Sequence, residues 1–167
     1  MSIEKDSHCS YCGHPFVPDQ TWPRQCNHCN QITYRNPLPV SVTLVPVNGG
    51  LLAVRRAITP GKGQLALPGG FIEWGESWQE AGVRELEEET GVVLPPHALR
   101  VYRVYSAPDG TLLVFGLAPP VPPEAIPSEL PTAECSELVV LQRPGELAFS
   151  LHTRVVAEYF AGGDGEP

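Results

Sequence analysis

The densest set of reactive side chains in this sequence lies between Gly70 and Val92, which reads Gly70-x5-Glu76-x7-Arg84-Glu85-Leu86-x-Glu88-Glu89-x-Gly91-Val92. On a helix, at about 100° per residue, Glu85, Glu88 and Glu89 fall within one arc while Val83, Leu86 and Thr90 gather on an adjoining face. One face can then hold a cation while the next packs on a sheet. Three carboxylates at i, i+3 and i+4 repel one another by about a few tenths of a kcal/mol per pair, so a bare helix gains nothing from them, and a hard divalent cation reverses the sign. Oxygen-only ligation with room for water and phosphate suits Mg²⁺, or Mn²⁺ in its place. A solvated acidic face would account for Glu-Leu-Glu-Glu-Glu alone, but not for the fixed Gly, Glu and Arg positions around it.

A second reactive set precedes it. Cys9, Cys12, Cys26 and Cys29 form two Cys-x2-Cys pairs, whereas Cys135 stands alone. Two such turns aim four thiolates inward, a tetrahedral set for Zn²⁺. His8, His14 and His28 lie close enough to substitute, but with four thiolates present they read as surface residues. Residues 9–29 hold little apolar material and carry Gly13, Pro15, Pro18 and Pro23, so metal must supply the stability of this segment. Cys135, with no nucleophile partner nearby, reads as a small buried hydrophobe.

The elements that must position these groups follow from pattern. Val40–Val47 reads as a strand, Asn48-Gly49-Gly50 as a tight turn and Leu51–Val54 as the returning strand. Ser77–Thr90 contains no proline and stops at Gly91, the best helix in the chain. Leu99–Tyr105 and Leu112–Leu117 form strands around the turn Ala107-Pro108-Asp109-Gly110. Ala118–Pro131 holds six prolines and reads as an exposed loop. Glu137–Leu141 is a short strand, and Thr153–Phe160 a helix with Val155, Val156, Tyr159 and Phe160 inward. Gly69-Gly70 fits a tight backbone passage over the carboxylates. Gly61-Lys62-Gly63 lacks the rest of a phosphate loop and reads as a mobile turn. Strands framing two helices without regular alternation predict an α/β domain with a mixed sheet and helices on its faces. The expected boundaries are 1–36 for the cysteine segment, 37–161 for the main domain and 162–167 for a tail.

Charge limits the partners. The chain of 167 residues carries 11 Lys+Arg against 19 Asp+Glu, a net charge of −8, so neither nucleic acid nor an anionic membrane is an expected partner. A phosphate-bearing substrate would need cations to meet it. No stretch approaches the ~18 apolar residues of a membrane helix, and Met-Ser-Ile-Glu-Lys-Asp does not begin a secretion leader, so the expected location is the cytoplasm.

From average residue usage, the fixed positions between Gly70 and Val92 arise by chance with a probability on the order of 10⁻⁷. They resemble the signature of the Nudix hydrolase family at every position. The likeness extends to Arg55-Arg56, to Leu67-Pro68-Gly69-Gly70-Phe71-Ile72-Glu73 and to Gly75-Glu76-Ser77, and covers residues 38–161. It implies a Nudix fold, a mixed β-sheet sandwiched between helices and here preceded by a small zinc ribbon. It also implies water attack on a phosphorus of a nucleoside diphosphate linked to another group, with Mg²⁺ held by Glu85, Glu88 and Glu89, one of which doubles as base. Arg84 would orient a glutamate, although it also reads as a helical partner of Glu80 and Glu88. Glu76 and Glu73 are outer candidates, and Arg55, Arg56, Gly69, Gly70 and Glu73 are expected to meet substrate. In several members the base comes from a loop outside the motif, where this chain has Glu134 and Glu137. Leu65 stands where an aromatic residue is common, leaving Trp74, Trp78, Tyr102, Tyr105 and Phe115 as candidates to stack on a base, most of them core.

A zinc ribbon ahead of such a domain resembles both NADH pyrophosphatases and a group acting on ADP-ribose, FAD and related dinucleotides. The Ser-Gln-Pro-Trp-type stretch of the former is missing, Pro108 falls where ADP-ribose pyrophosphatases carry a proline, and Arg24–Pro37 is more similar to the second group. The expectation is therefore a nucleotide-type small-molecule substrate, ADP-ribose, FAD or similar, split into two monophosphates. The alternatives are an NADH or NAD-cap pyrophosphatase and a non-catalytic ADP-ribose-sensing regulator; the intact carboxylates and the lack of a basic patch oppose the last. Many members dimerise, so a homodimer fits the resemblance.

Overall fold

The computed structural model describes residues 5–128 and 132–162. The chain separates into two compact units, Met1–Pro37 and Leu38–Pro167. The expected tail lies outside the described residues from 163 onward.

In the first unit, β1 (Arg24–Gln25) and β2 (Ile32–Thr33) pair antiparallel. The two cysteine turns close alike: the Gly13 N–H donates to the Cys9 carbonyl and the Asn30 N–H to the Cys26 carbonyl, each at 2.9 Å. Gly13 and Asn30 both have positive φ, a conformation that Gly and Asn adopt most readily. Cys9, Cys26 and Phe16 are buried, with Trp22 and Cys29 against them.

The second unit contains β3 (Leu38–Leu44), β4 (Pro46–Val47), β5 (Gly50–Arg56), β6 (Leu65–Ala66), β7 (Gly69–Phe71), α1 (Trp78–Thr90), β8 (Arg100–Ser106), β9 (Thr111–Leu117), β10 (Cys135–Leu141) and α2 (Ser150–Phe160). One sheet has the order β7-β3-β9-β8, with β3 parallel to β9 and the other pairs antiparallel. The other has the order β10-β5-β4, with β6 also on β5.

The expected strand Val40–Val47 is two strands. Leu44 ends β3 in one sheet and Pro46 opens β4 in the other, so only β4 makes the hairpin with β5. The apolar run is buried on both faces rather than alternating: Leu44 packs in a core with α2, while Val45 and Val47 pack in a core with α1. Nor is the start of the proline-rich loop exposed. Ala118 and Val121 are buried and donate to the carbonyls of Leu44 and Pro46.

The alternation of β3 sets the layers. Val42 and Leu44 face the α2 core with Val155 and Val156. Ser41 and Thr43 turn toward α1, and their hydroxyls donate to the carbonyls of Trp78 at 2.8 Å and Gly82 at 3.2 Å. Two buried hydroxyls are thereby satisfied. Helix α1 starts at a capping box, in which the Ser77 hydroxyl accepts from the Glu80 N–H while the Glu80 carboxylate accepts from the Ser77 N–H, and it stops at Gly91. Its packed face holds Ala81, Gly82, Leu86 and Thr90, with Val83 only half-buried.

Candidate active site and cysteine cluster

The fold leaves the acidic face of α1 lining a groove of about 690 Å³ with Glu85, Glu88, Glu89 and Glu134 on it. Behind it a second cleft of about 500 Å³ runs from Glu85 and Glu89 past Gly69, Gly70 and Arg56 to Phe149 and His152. Glu88 is exposed, Glu85 half-buried and Glu89 buried, so the three carboxylates form a gradient from solvent into the cleft.

Arg84 organises one end. Its Nε and Nη2 clamp the Glu76 carboxylate at 2.7 and 3.1 Å, its Nη1 reaches Glu85 at 2.7 Å and Glu88 at 3.5 Å, and Nη2 also donates to the Phe71 carbonyl. The Glu73 N–H donates to Glu76 at 2.8 Å. This bidentate pairing holds Glu76 below the usual carboxylate range. Glu80 is spent on the cap and is not Arg84's partner. At the other end the Gly69 N–H donates to Glu89 at 3.0 Å.

Burial raises Glu85 despite Arg84, with the Glu88 and Glu134 charges adding to it. Burial likewise pushes Glu89 up to about 7, against the Gly69 hydrogen bond and with the charges of Glu85 and Glu134. Burial thus disfavours the charged form of both acids, a cost that added positive charge would offset, which suits a cation site. Among the described residues only the cysteines gather three or more ligand atoms all within 4.8 Å of one another, so the three carboxylates are spread more openly along their groove.

Gly69 and Gly70 make this approach possible. A Cβ on Gly70 would land on the Glu85 carboxylate, and one on Gly69, whose φ is 154°, would strike the Ser41 carbonyl. Arg56 lines the cleft with its Nε donating to the Pro60 carbonyl at 2.6 Å. Arg55, the residue before it on β5, does not line the cleft: it pairs with Glu137 at 2.6 Å and donates to the Gly63 carbonyl at 3.0 Å. Strand alternation separates the two arginines. The same pairing keeps Glu137 out of the groove, whereas Glu134 lines both hollows.

None of the expected stacking aromatics lines the cleft. Tyr102 and Phe115 are core, Tyr105 donates to Glu158, Trp78 packs on the second core, and Trp74 is fully exposed. Phe71 and Phe149 line it instead, with His152 beside Phe149. Phe149 and His152 were not visible to sequence reasoning, because they lie almost a hundred residues from β5 in a segment with no motif. Cys135 is buried beside Val54 and Ala66, and burial pushes its thiol up to about 12. In the first unit, Cys9 and Cys29 sulfurs lie 3.7 Å apart, as do those of Cys12 and Cys26, and His8, His14 and His28 are exposed.

An acid-lined cleft held over a capped helix by a glycine passage is an arrangement with known relatives. The NUDIX domain pattern matches residues 37–157, and the chain belongs to the Nudix family. A crystal structure of a NUDIX hydrolase from Nitrosomonas europaea superposes with a TM-score of 0.73 at 25% identity, over 93% of this chain and 90% of that one. An ADP-ribose pyrophosphatase of Methanocaldococcus jannaschii is 41% identical over 76 residues, 46% of this chain and 44% of the relative. An NAD-capped RNA hydrolase NudC of Salmonella heidelberg is 33% identical over 85 residues, 50% of this chain and 33% of the relative. The chain thus spans less than half the length of either of these two relatives. Among the described residues no helix is long and apolar enough to cross a membrane.

Proposed function

We propose that this chain is a divalent-cation-dependent pyrophosphohydrolase that cleaves a nucleoside diphosphate linked to another moiety, ADP-ribose first and FAD or a similar dinucleotide next, into two monophosphates. The observation that carries the reading is the set Glu85, Glu88 and Glu89, graded from solvent into a substrate-sized cleft and braced by Arg84 and the Gly69 N–H. Their all-oxygen donor set, open along the groove, fits Mg²⁺ or Mn²⁺. When bound, the cation supplies neutralisation of the anhydride and a lower pKa for attacking water. Glu134 faces the same groove from a loop and is the carboxylate we assign to take the water's proton, as the water oxygen bonds phosphorus and the anhydride P–O bond breaks. Arg84 and Glu76 act as positioning residues, and Arg56 offers the cleft's positive charge to a phosphate.

The four gathered cysteines support one structural Zn²⁺ in a ribbon over 1–36 ahead of a hydrolase domain over 37–161, and reduced thiolates fit a cytoplasmic setting. The resemblance to the M. jannaschii enzyme favours ADP-ribose, and the one to the NAD-cap hydrolase supports the alternative. Incubation of ADP-ribose, FAD and NADH with Mg²⁺, with products separated chromatographically, tests both. Release of AMP and ribose 5-phosphate at the highest kcat/KM is expected. A clear preference for NADH would move the assignment to the second group, and no turnover of any of them would end it.

A further inference from the structure

The wall of the cleft opposite α1 has a chemistry of its own. It joins Arg56 at the end of β5, Phe149 just before α2 and His152 in the first turn of α2. The Arg56 guanidinium lies over the Phe149 ring, 5.2 Å from its centroid, and the His152 ring tilts against Phe149 with centroids 5.0 Å apart.

His152 is only 5% exposed. Its Nδ1 accepts the Leu67 N–H at 3.2 Å, which leaves the ring proton on Nε2, and among the described residues nothing accepts that proton. Burial, reinforced by the Arg56 charge, lowers its pKa to about 3, so the ring is a neutral donor under ordinary conditions. His152 lines the cleft, so this donor is open to a ligand lying there. The fold uses Nδ1 as the acceptor for Leu67 and the ring for packing between Phe115 and Phe149, and neither role uses the Nε2 proton.

Flat heteroaromatic rings stack on aromatic faces and on guanidinium planes alike. We propose that this wall is a nucleobase subsite, in which a purine stacks on the Arg56 and Phe149 pair and an acceptor on its edge takes the Nε2–H of His152. The assignment rests on the pyrophosphohydrolase reading, because the anhydride held at the carboxylates is what brings the base to this end of a cleft of about 500 Å³.

Calorimetric titration of AMP and of ribose 5-phosphate in the presence of Mg²⁺ isolates the base, since the two ligands share a phosphate and a ribose. His152→Phe and Phe149→Leu should each weaken AMP by about tenfold while leaving ribose 5-phosphate, the product without a base, within about twofold. His152→Gln keeps a neutral donor and should recover part of the AMP affinity. If His152→Phe does not fold, Phe149→Leu and His152→Gln carry the comparison. Variants that weaken neither ligand, or both alike, would overturn the subsite. A protein that discriminates as expected but hydrolyses no ADP-ribose would instead overturn the reading on which it rests.

Discussion

Gly70→Ala separates the position of Glu85 from the stability of the fold. Gly70 lies in β7 opposite Ser41 of β3, and the three atoms nearest an added Cβ all belong to the Glu85 carboxylate, the far end of a flexible side chain. The strand can keep its place while that carboxylate swings aside by roughly 1 Å, a misplacement that costs on the order of 10²-fold in rate when the group positions reacting atoms. The swing also breaks the 2.7 Å contact with Arg84. Against the lost contact, Gly→Ala reduces unfolded-state entropy by about 0.4–1 kcal/mol, so the net stability change should stay within about 1 kcal/mol. That corresponds to no more than about 4 °C in Tm for a chain of this size. Gly69→Ala is the opposite case. Its Cβ meets the Ser41 carbonyl and lies 2.7 Å from the Val42 Cα, backbone atoms that cannot swing away, so a loss of about 2–3 kcal/mol in stability is expected. AMP release from ADP-ribose with Mg²⁺ and thermal unfolding, measured on the same samples, read both quantities. Wild-type kcat in Gly70→Ala would refute the dependence on Glu85, and equal Tm losses in the two variants would refute the distinction between a side-chain and a backbone obstacle.

Metal analysis should find about one zinc per chain, and Cys26→Ser should lower thermal stability more than it lowers the rate of folded protein; a zinc-free wild type of unchanged stability would remove the ribbon. His152, held neutral with a pKa of about 3 rather than 6.5, contributes stability above pH 6.5 that is lost as pH falls toward 3, by up to about 5 kcal/mol, and His152→Phe should flatten that acid limb in a pH series of denaturant melts. Glu89, raised to about 7 from 4.5, works in the opposite sense: metal-free protein should lose up to about 3 kcal/mol as pH rises through this window. Added Mg²⁺ should therefore raise Tm more at about pH 8 than at about pH 5, and an equal rise at both would show that Glu89 does not ionise on binding.

What the sequence disclosed is what local physics fixes. Helix α1 is legible because its period, its Ser77 and Glu80 cap and its Gly91 stop agree, and the cysteine turns are legible because two-residue spacing dictates their geometry. The split of Val40–Val47 is not legible. A run buried on both faces has no alternation to read, and its break at Val45 follows from two cores that exist only once α1 and α2 have docked. Arg55 and Arg56 are equivalent as text; which of them faces the cleft depends on the phase of β5 relative to β10, where Glu137 waits for Arg55. The stacking wall is hidden for a further reason. Phe149 and His152 resemble any helix-start residues until β6 and α2 bring them against Arg56.

The placement of charge explains why the acidic motif and the second wall must work together. Among the described residues the second cleft is lined by Glu73, Glu85, Glu89, Asp109 and Glu134 against the single cation Arg56. An anionic anhydride entering alone would meet net repulsion, so its affinity has to come from cations at the carboxylate end and from uncharged contacts at the other. A neutral imidazole donor and an aromatic face suit the second task because neither adds to the repulsion nor competes for the cation. Arg56 lies between the two ends, over Phe149 and within electrostatic reach of Glu89. The anhydride is thereby drawn to the acidic face only when positive charge is already there, and the cleft tells a nucleotide from a bare phosphate by what lies beyond it.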